Sequence, residues 1–380
     1  MGILRILLAL AVVIEHSGSR LHGQVLPGLG AVEAFFMISG FYIALILNRK
    51  YSFPGATKFF YQQRYLRLIP MYWLAVLSTV GMSGFYSRLG HHATGKLQIW
   101  AEKGHEFSGR AVGLLLVTQA TMLGLDGLMF CKFSGHPLGP HFTLNWMSEP
   151  LPAVRFMLVP PAWSLSLELL FYLVAPLLVR RSIRLQLTVA AATFALRLVS
   201  VRVFHLPPNP WNNYFFPFEA GLFLLGSVAF QMLPVAERMI SRMPGLRWGL
   251  TGGMFVLIVF YDRIPLAEEP RRWVFLGCLL CAIPMLFAAS QRDRVDRWIG
   301  EMSYPLYLLH QVTLYAAQPL THSASGLAGD AASILLPLGV AAVAYGLVER
   351  PFEQWRARRF ERQLARAEAM PALEAVGFLK

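Results

Sequence analysis

Charge is scarce in this chain. Asp, Glu, Lys and Arg make up 14% of its 380 residues, against 56% hydrophobic residues and a mean hydropathy of +0.49. A water-soluble domain carries about a quarter charged residues, so that class is excluded and a protein threaded repeatedly through a bilayer is expected. Cysteine is scarcer still. Cys131, Cys278 and Cys281 give no disulfide framework, and no histidine stands at metal-ligand spacing from the last two, so no metal site is expected. No stretch is left over for a separate globular domain. The N-terminus lacks a cleavable-signal pattern, because Arg5 and Glu15 interrupt its apolar run and further apolar segments follow. Acidic residues number 21 against 34 Lys and Arg, a net charge of +13. The basic residues fall in short runs between apolar segments and after Arg350, a positive-inside pattern that points to membrane lipid and not to nucleic acid.

What is present is a series of apolar segments. Stretches near 3 to 21, 29 to 47, 69 to 86, 111 to 130, 162 to 180, 185 to 204, 214 to 232, 248 to 262, 272 to 289, 299 to 318 and 330 to 349 are long and apolar enough to span. With the N-terminus in the cytoplasm, Asn48-Arg49-Lys50 and Arg64 to Arg67 fall inside after two crossings. If 111 to 130 also crosses, the basic loops at Arg180 to Arg184, Glu237 to Arg247 and Arg292 to Arg294 all land outside. If it does not, all three land inside, and so does the tail from Arg350 to Arg366. The expectation is therefore an all-α integral protein of the inner (cytoplasmic) membrane, a bundle of about ten transmembrane helices with both termini cytoplasmic. Segment 111 to 130, with Gln119 and Asp126, becomes a re-entrant or interfacial piece of a long outer region after the third span, near 87 to 161. Residues 1–352 form the membrane domain and 353–380 a basic cytoplasmic tail.

Against this apolar background the ionisable residues stand out. Arg5 and His16 lie in the first segment, on one helical face and roughly 16 Å apart along the axis. Charges at membrane depth are costly and face an interior cavity, which marks both as functional candidates. Depth counting brings Glu33, Glu168 and His310 to the level of His16, and places Arg64, Arg67 and Glu349 near the cytoplasmic face with Arg5. A histidine held by a carboxylate is a general base for neutral pH, and Glu33 is the preferred partner of His16, with Glu168 as the alternative. The plainer readings are a packed core histidine and an interfacial carboxylate that sees water. Arg64 and Arg67, at i and i+3, share a face whose guanidinium forks suit phosphate, although basic residues also flank helix ends for topology alone.

The motifs, taken in order, resemble a known family. They are the run Arg5 to His16; Gly30-Ala31-Val32-Glu33-Ala34-Phe35-Phe36-Met37-Ile38-Ser39-Gly40-Phe41; Arg64-Tyr65-Leu66-Arg67-Leu68-Ile69-Pro70; and Trp163-Ser164-Leu165-Ser166-Leu167-Glu168 with Phe171-Tyr172 and Pro176. Ser303-Tyr304-Pro305-Leu306-Tyr307-Leu308-Leu309-His310 and Val348-Glu349-Arg350-Pro351-Phe352 close the series. The chain is similar, from residue 5 to 352, to the acyltransferase 3 family of membrane O-acyltransferases.

That resemblance implies ten core helices and transfer of an acyl group, commonly acetyl from acetyl-CoA, to hydroxyls of bacterial surface or exported carbohydrates. Acyl-CoA is thus expected as co-substrate, with no permanently bound cofactor and a carbohydrate or glycolipid acceptor. Arg5, His16, Arg64, Arg67 and Glu349 match positions the family regards as essential, with His16 as the base and Arg5, Arg64 and Arg67 toward the donor. Ser39 and Ser166 are candidate nucleophiles, or small residues for close packing beside Gly40 and within the Trp163 motif. Tyr172, Ser303 and His310 are further motif residues. His91, His92, His105, His136 and His141 match no motif and are expected in loops, with acceptor binding as the alternative. A transporter or flippase with a charged intramembrane path is the rival reading, against which stand the absence of an internal repeat and the two-layer clustering of charge.

Overall fold

The computed structural model describes residues 1–53, 55–88, 97–323 and 326–377. His91 and His92 lie outside the described residues. Among the described residues sixteen α-helices follow one another: α1 Gly2–Ser17, α2 Gly28–Arg49, α3 Ala56–Arg88, α4 Gln98–Lys103, α5 Gly109–Thr121, α6 Trp163–Leu178, α7 Ile183–Arg202, α8 Pro208–Tyr214, α9 Phe216–Gln231, α10 Leu233–Arg242, α11 Leu246–Val259, α12 Glu268–Ser290, α13 Arg294–Glu301, α14 Ser303–Ser323, α15 Leu327–Ala344 and α16 Arg350–Gly377, with a π turn at Tyr345–Glu349. Helices dominate for a physical reason: in hydrocarbon every backbone N–H and C=O must be paired within the segment. Among the described residues, seven helices are long and apolar enough to cross a membrane. The protein is a multi-pass membrane protein.

Segment 111 to 130 does not form one long helix. Ser108 caps α5 by accepting from the Ala111 amide, and α5 ends after 13 residues. That is roughly 20 Å, short of a hydrocarbon core near 30 Å. The chain then makes a 3-10 turn at Asp126–Phe130 and an antiparallel hairpin, β1 Cys131–Ser134 with β2 Gly139–Phe142, in the register Cys131↔Phe142 to Ser134↔Gly139. The helical class expected for the chain holds, with this short hairpin as a local exception. Phe107, Phe133 and Phe156 cluster beside it, with ring centroids 4.9 to 5.4 Å apart. Nearby, hydrogen bonds from Thr143 and Lys132 hold the Glu149 carboxyl below the usual carboxylate range.

Two contacts set the helix bundle around the site. A Cβ on Gly40 would sit 1.9 Å from the Phe223 carbonyl oxygen, and one on Gly226 would sit 1.9 Å from that of Met37. Each glycine thus admits the other helix's backbone, which draws α2 and α9 together as small residues do in membranes. At the other end, Asp296 of α13 accepts from the Gly2 and Ile3 amides at 2.7 and 3.1 Å. These are first-turn donors that α1 itself cannot satisfy. The boundary expected at 352/353 falls inside α16, whose Phe360 is buried against Tyr51 of the α2–α3 connection.

Candidate active site

His16 lies in the last turn of α1, before the left-handed Gly18 that ends the helix. It is exposed on the wall of a cavity of about 920 Å³, together with Ser19, Arg20, Thr79, Glu102, Arg155, Gln311 and Asp330. Nδ1 of His16 is 2.9 Å from the Val12 carbonyl oxygen and 3.3 Å from Nε2 of His310. Nδ1 of His310 is 2.7 Å from the Tyr307 carbonyl oxygen. A carbonyl only accepts, so His310 carries its proton on Nδ1 and offers the lone pair of Nε2. Nδ1 of His16 faces the Val12 carbonyl in the same way and so carries the proton, given to that nearer acceptor and shared with the His310 lone pair, which leaves Nε2 of His16 as the basic nitrogen. The tautomers follow from the network and are assigned in that sense.

Among the described residues no carboxylate is hydrogen-bonded to His16. Glu33, expected to do so, is buried between two arginines, its Oε1 3.6 Å from Arg197 and 3.4 Å from Arg272. Arg197 also reaches Glu219 at 3.4 Å, and Arg272 reaches Glu269 at 2.7 Å, so one network ties α2, α7, α9 and α12. The expected pairing of His16 with Glu33 is corrected accordingly: four ionisable groups share a depth, and the rotation of each helix decides which of them meet.

Glu168, the alternative partner, lines a second and narrower cavity of about 100 Å³. Its Oε1 accepts from Ser39 at 2.6 Å and from Tyr172 at 2.5 Å. Arg5, Arg64 and Arg67 line the same space, with Tyr42, Ser303 and Tyr304. Glu349, in the π turn, lies outside its lining but adds to the negative charge acting on Arg67. Ser303 donates to the Gly300 carbonyl at 2.6 Å, beside the start of its own helix. Ser166 is fully buried, donates to Asp126 at 2.5 Å and accepts from the Gly124 amide at 3.0 Å. Its hydroxyl therefore fastens the outer region to α6 and is not presented to either cavity. Trp163 packs edge-on against Phe36 and Tyr214.

Contacts among Ser164, Tyr307 and Pro161 link the linings of the two cavities. The Ser164 and Tyr307 hydroxyl oxygens are 2.8 Å apart and each is 3.0 Å from the Pro161 carbonyl oxygen, so one hydroxyl donates to the other and the second donates to Pro161. Ser164 and Tyr307 face the inner cavity, and Pro161 faces the outer one. Sequence reasoning quoted both residues within motifs without singling them out, since serine and tyrosine in apolar helices carry no charge signal. Of the other expected loop histidines, His141 bonds Ser134 at 3.0 Å on the hairpin, and none of His105, His136 and His141 lines either cavity. Among the described residues no cluster of His, Cys, Asp and Glu fits a metal ion.

Fold and site together define a multi-pass membrane protein with ionisable groups on two internal cavities. The chain belongs to the acyltransferase 3 family, whose model, described as an acyltransferase domain, matches residues 1–348. It is a membrane acyltransferase. No curated protein and no solved structure matches the chain.

Proposed function

We propose that this protein moves an acyl group, acetyl by its family resemblance, from acyl-CoA to a hydroxyl of a carbohydrate or glycolipid acceptor. The acceptor occupies the outer cavity and the donor's pantetheine arm the inner one. Ten spans with both termini in the cytoplasm put the arginines on the side where acyl-CoA is available. The observation that carries the reading is the presence of two cavities in one bundle, with His16 on the wall of one, three arginines around the other, and Ser164 and Tyr307 of the second bonded to Pro161 of the first.

In this mechanism Nε2 of His16 takes the proton of the acceptor hydroxyl as its oxygen attacks the thioester carbonyl carbon. The C–S bond then breaks, CoA departs as thiolate toward the arginines, and the imidazolium returns its proton to that thiolate. His310 holds His16 in one tautomer and ring orientation by accepting from Nδ1, the work that a carboxylate does in other histidine bases. Arg64 and Arg67 bind phosphate oxygens through charge-assisted forks. Glu33 is a structural residue in this reading, and Glu168 a positioning residue that sets the Ser39 and Tyr172 hydroxyls beside the donor. The thioester reaches His16 past the contact of Ser164 and Tyr307 with Pro161. The test uses purified protein in liposomes with labelled acetyl-CoA. Label should leave CoA and appear ester-linked on a glycan acceptor, whereas a transporter would leave the thioester intact.

A further inference from the structure

α16 continues past the residues that the family model covers, and it packs on the bundle. Nη1 of Arg356 donates to the carbonyl of Gln63, the residue before Arg64, at 3.1 Å. Phe360, one turn on, packs 5.4 Å from the Tyr51 ring and lies under Nζ of Lys50 at 4.2 Å. Arg356 and Lys50 are thereby brought to the part of α3 that holds Arg64 and Arg67. Three of these cations have another cation as their strongest charged neighbour, Arg67 acting on Arg64 and Arg64 acting on both Lys50 and Arg356, while Arg67 faces Tyr172 and Glu168. The ion-pair partner of Arg356 is Glu353, at 3.2 Å and 44% exposed.

Two groups here are buried and have no hydrogen-bond partner among the described residues, Nε of Arg64 and Nε2 of Gln63, while the Tyr51 hydroxyl lies beside the Arg64 guanidinium. Both unpaired groups can donate, and Arg64 and Gln63 are 8% and 2% exposed. Buried donors are nearly always satisfied, so unsatisfied ones beside clustered cations are complementary to an anion rich in acceptor oxygens.

We propose that Arg356 on α16 extends the donor site of Arg64 and Arg67, binding a phosphate group of acyl-CoA beside the buried Gln63 and Tyr51 and the exposed Lys50. This rests on the donor reading above. An anionic lipid headgroup presents the same phosphate chemistry, and the test separates the two sources.

Full-length wild type, Arg356→Gln and Glu353→Gln are compared in nanodiscs with acetyl-CoA and with acetyl-pantetheine, which keeps the thioester and arm but carries no phosphate. Arg356→Gln should raise KM for acetyl-CoA by about tenfold or more, the loss of one charge-assisted hydrogen bond, and leave acetyl-pantetheine kinetics and kcat unchanged. Glu353→Gln frees Arg356 of its competitor and should lower KM for acetyl-CoA alone. Equal effects of Arg356→Gln on both donors, or a Glu353→Gln variant whose KM for acetyl-CoA does not fall, would show that Arg356 only braces α16 and would overturn the proposal. Should Arg356→Gln fail to insert, Glu353→Gln decides by itself. In phosphatidylcholine nanodiscs the Arg356 effect should persist; an effect seen only after phosphatidylglycerol is added would assign the site to lipid and overturn the proposal. A wild-type enzyme that uses acetyl-pantetheine as well as acetyl-CoA would instead defeat the underlying donor reading, before any Arg356 variant is made.

Discussion

Nε2 of His310, on α14, lies 3.3 Å from Nδ1 of His16, on α1, in the position where a catalytic histidine ordinarily has a carboxylate. A neutral imidazole can orient its neighbour and accept its proton in a hydrogen bond, but it brings no negative charge to the imidazolium that forms. His310→Phe keeps the buried volume and removes that acceptor. The variant should lose about 10²-fold in kcat, within the range of losing a base's orientation, with KM for the donor unchanged. An unchanged kcat in a correctly inserted His310→Phe protein would show that the contact between the two rings is packing alone.

Glu33→Gln should act on stability and spare the chemistry. The substitution removes the carboxylate that Arg197 and Arg272 share, and both guanidiniums are buried in membrane helices. Breaking a buried pair by removing one partner costs about 3–5 kcal/mol. A fall in thermal midpoint and expression is expected, with near-normal turnover per folded molecule. The opposite pattern, full stability with lost turnover, would return Glu33 to the catalytic role.

Gly40→Ala tests the close approach of α2 and α9. Its new methyl would meet the Phe223 carbonyl at 1.9 Å, a distance that only backbone movement can relieve. Overpacking of this kind costs about 1–3 kcal/mol, so the thermal midpoint should drop, and Gly226→Ala should do the same from the other side. Gly113→Ala, where a Cβ would meet nothing within 4 Å, is the control and should change little.

The ten-span arrangement has its own test. Single cysteines at positions 106 and 150, in a background without Cys131, Cys278 and Cys281, should both react with an impermeant thiol reagent added outside. Protection at 150 with labelling at 106 would mean that the intervening chain crosses, and would reverse the sidedness of all later helices.

How much of this could be read from residues alone divides along a physical line. Arg5, His16, Arg64 and Arg67 were legible because a charge inside an apolar run is costly and so must be used. Their separation into two layers followed from helical rise. Partnership was not legible: whether His16 meets Glu33, Glu168 or His310 depends on the rotation of four helices about their own axes, which apolar segments facing lipid and protein alike do not specify. Arg272 reads as the flanking charge at the start of its segment, and Arg197, well inside its own, has no motif around it to mark it. The hairpin at 131–142 escaped notice because four-residue strands give too short an alternation to read, and Gly135, Pro137, Gly139 and Pro140 read as loop. Arg356 looked like one more residue of a basic tail, since nothing in a run of arginines reveals which one folds back.

The central claim, that His16 is the base of an acyl transfer, is tested most directly by His16→Ala in purified, correctly inserted protein supplied with acetyl-CoA and acceptor. Transfer should fall by about 10² to 10⁴-fold while donor binding, measured by titration of CoA, stays at the wild-type value. Near-normal transfer by that variant would contradict the account.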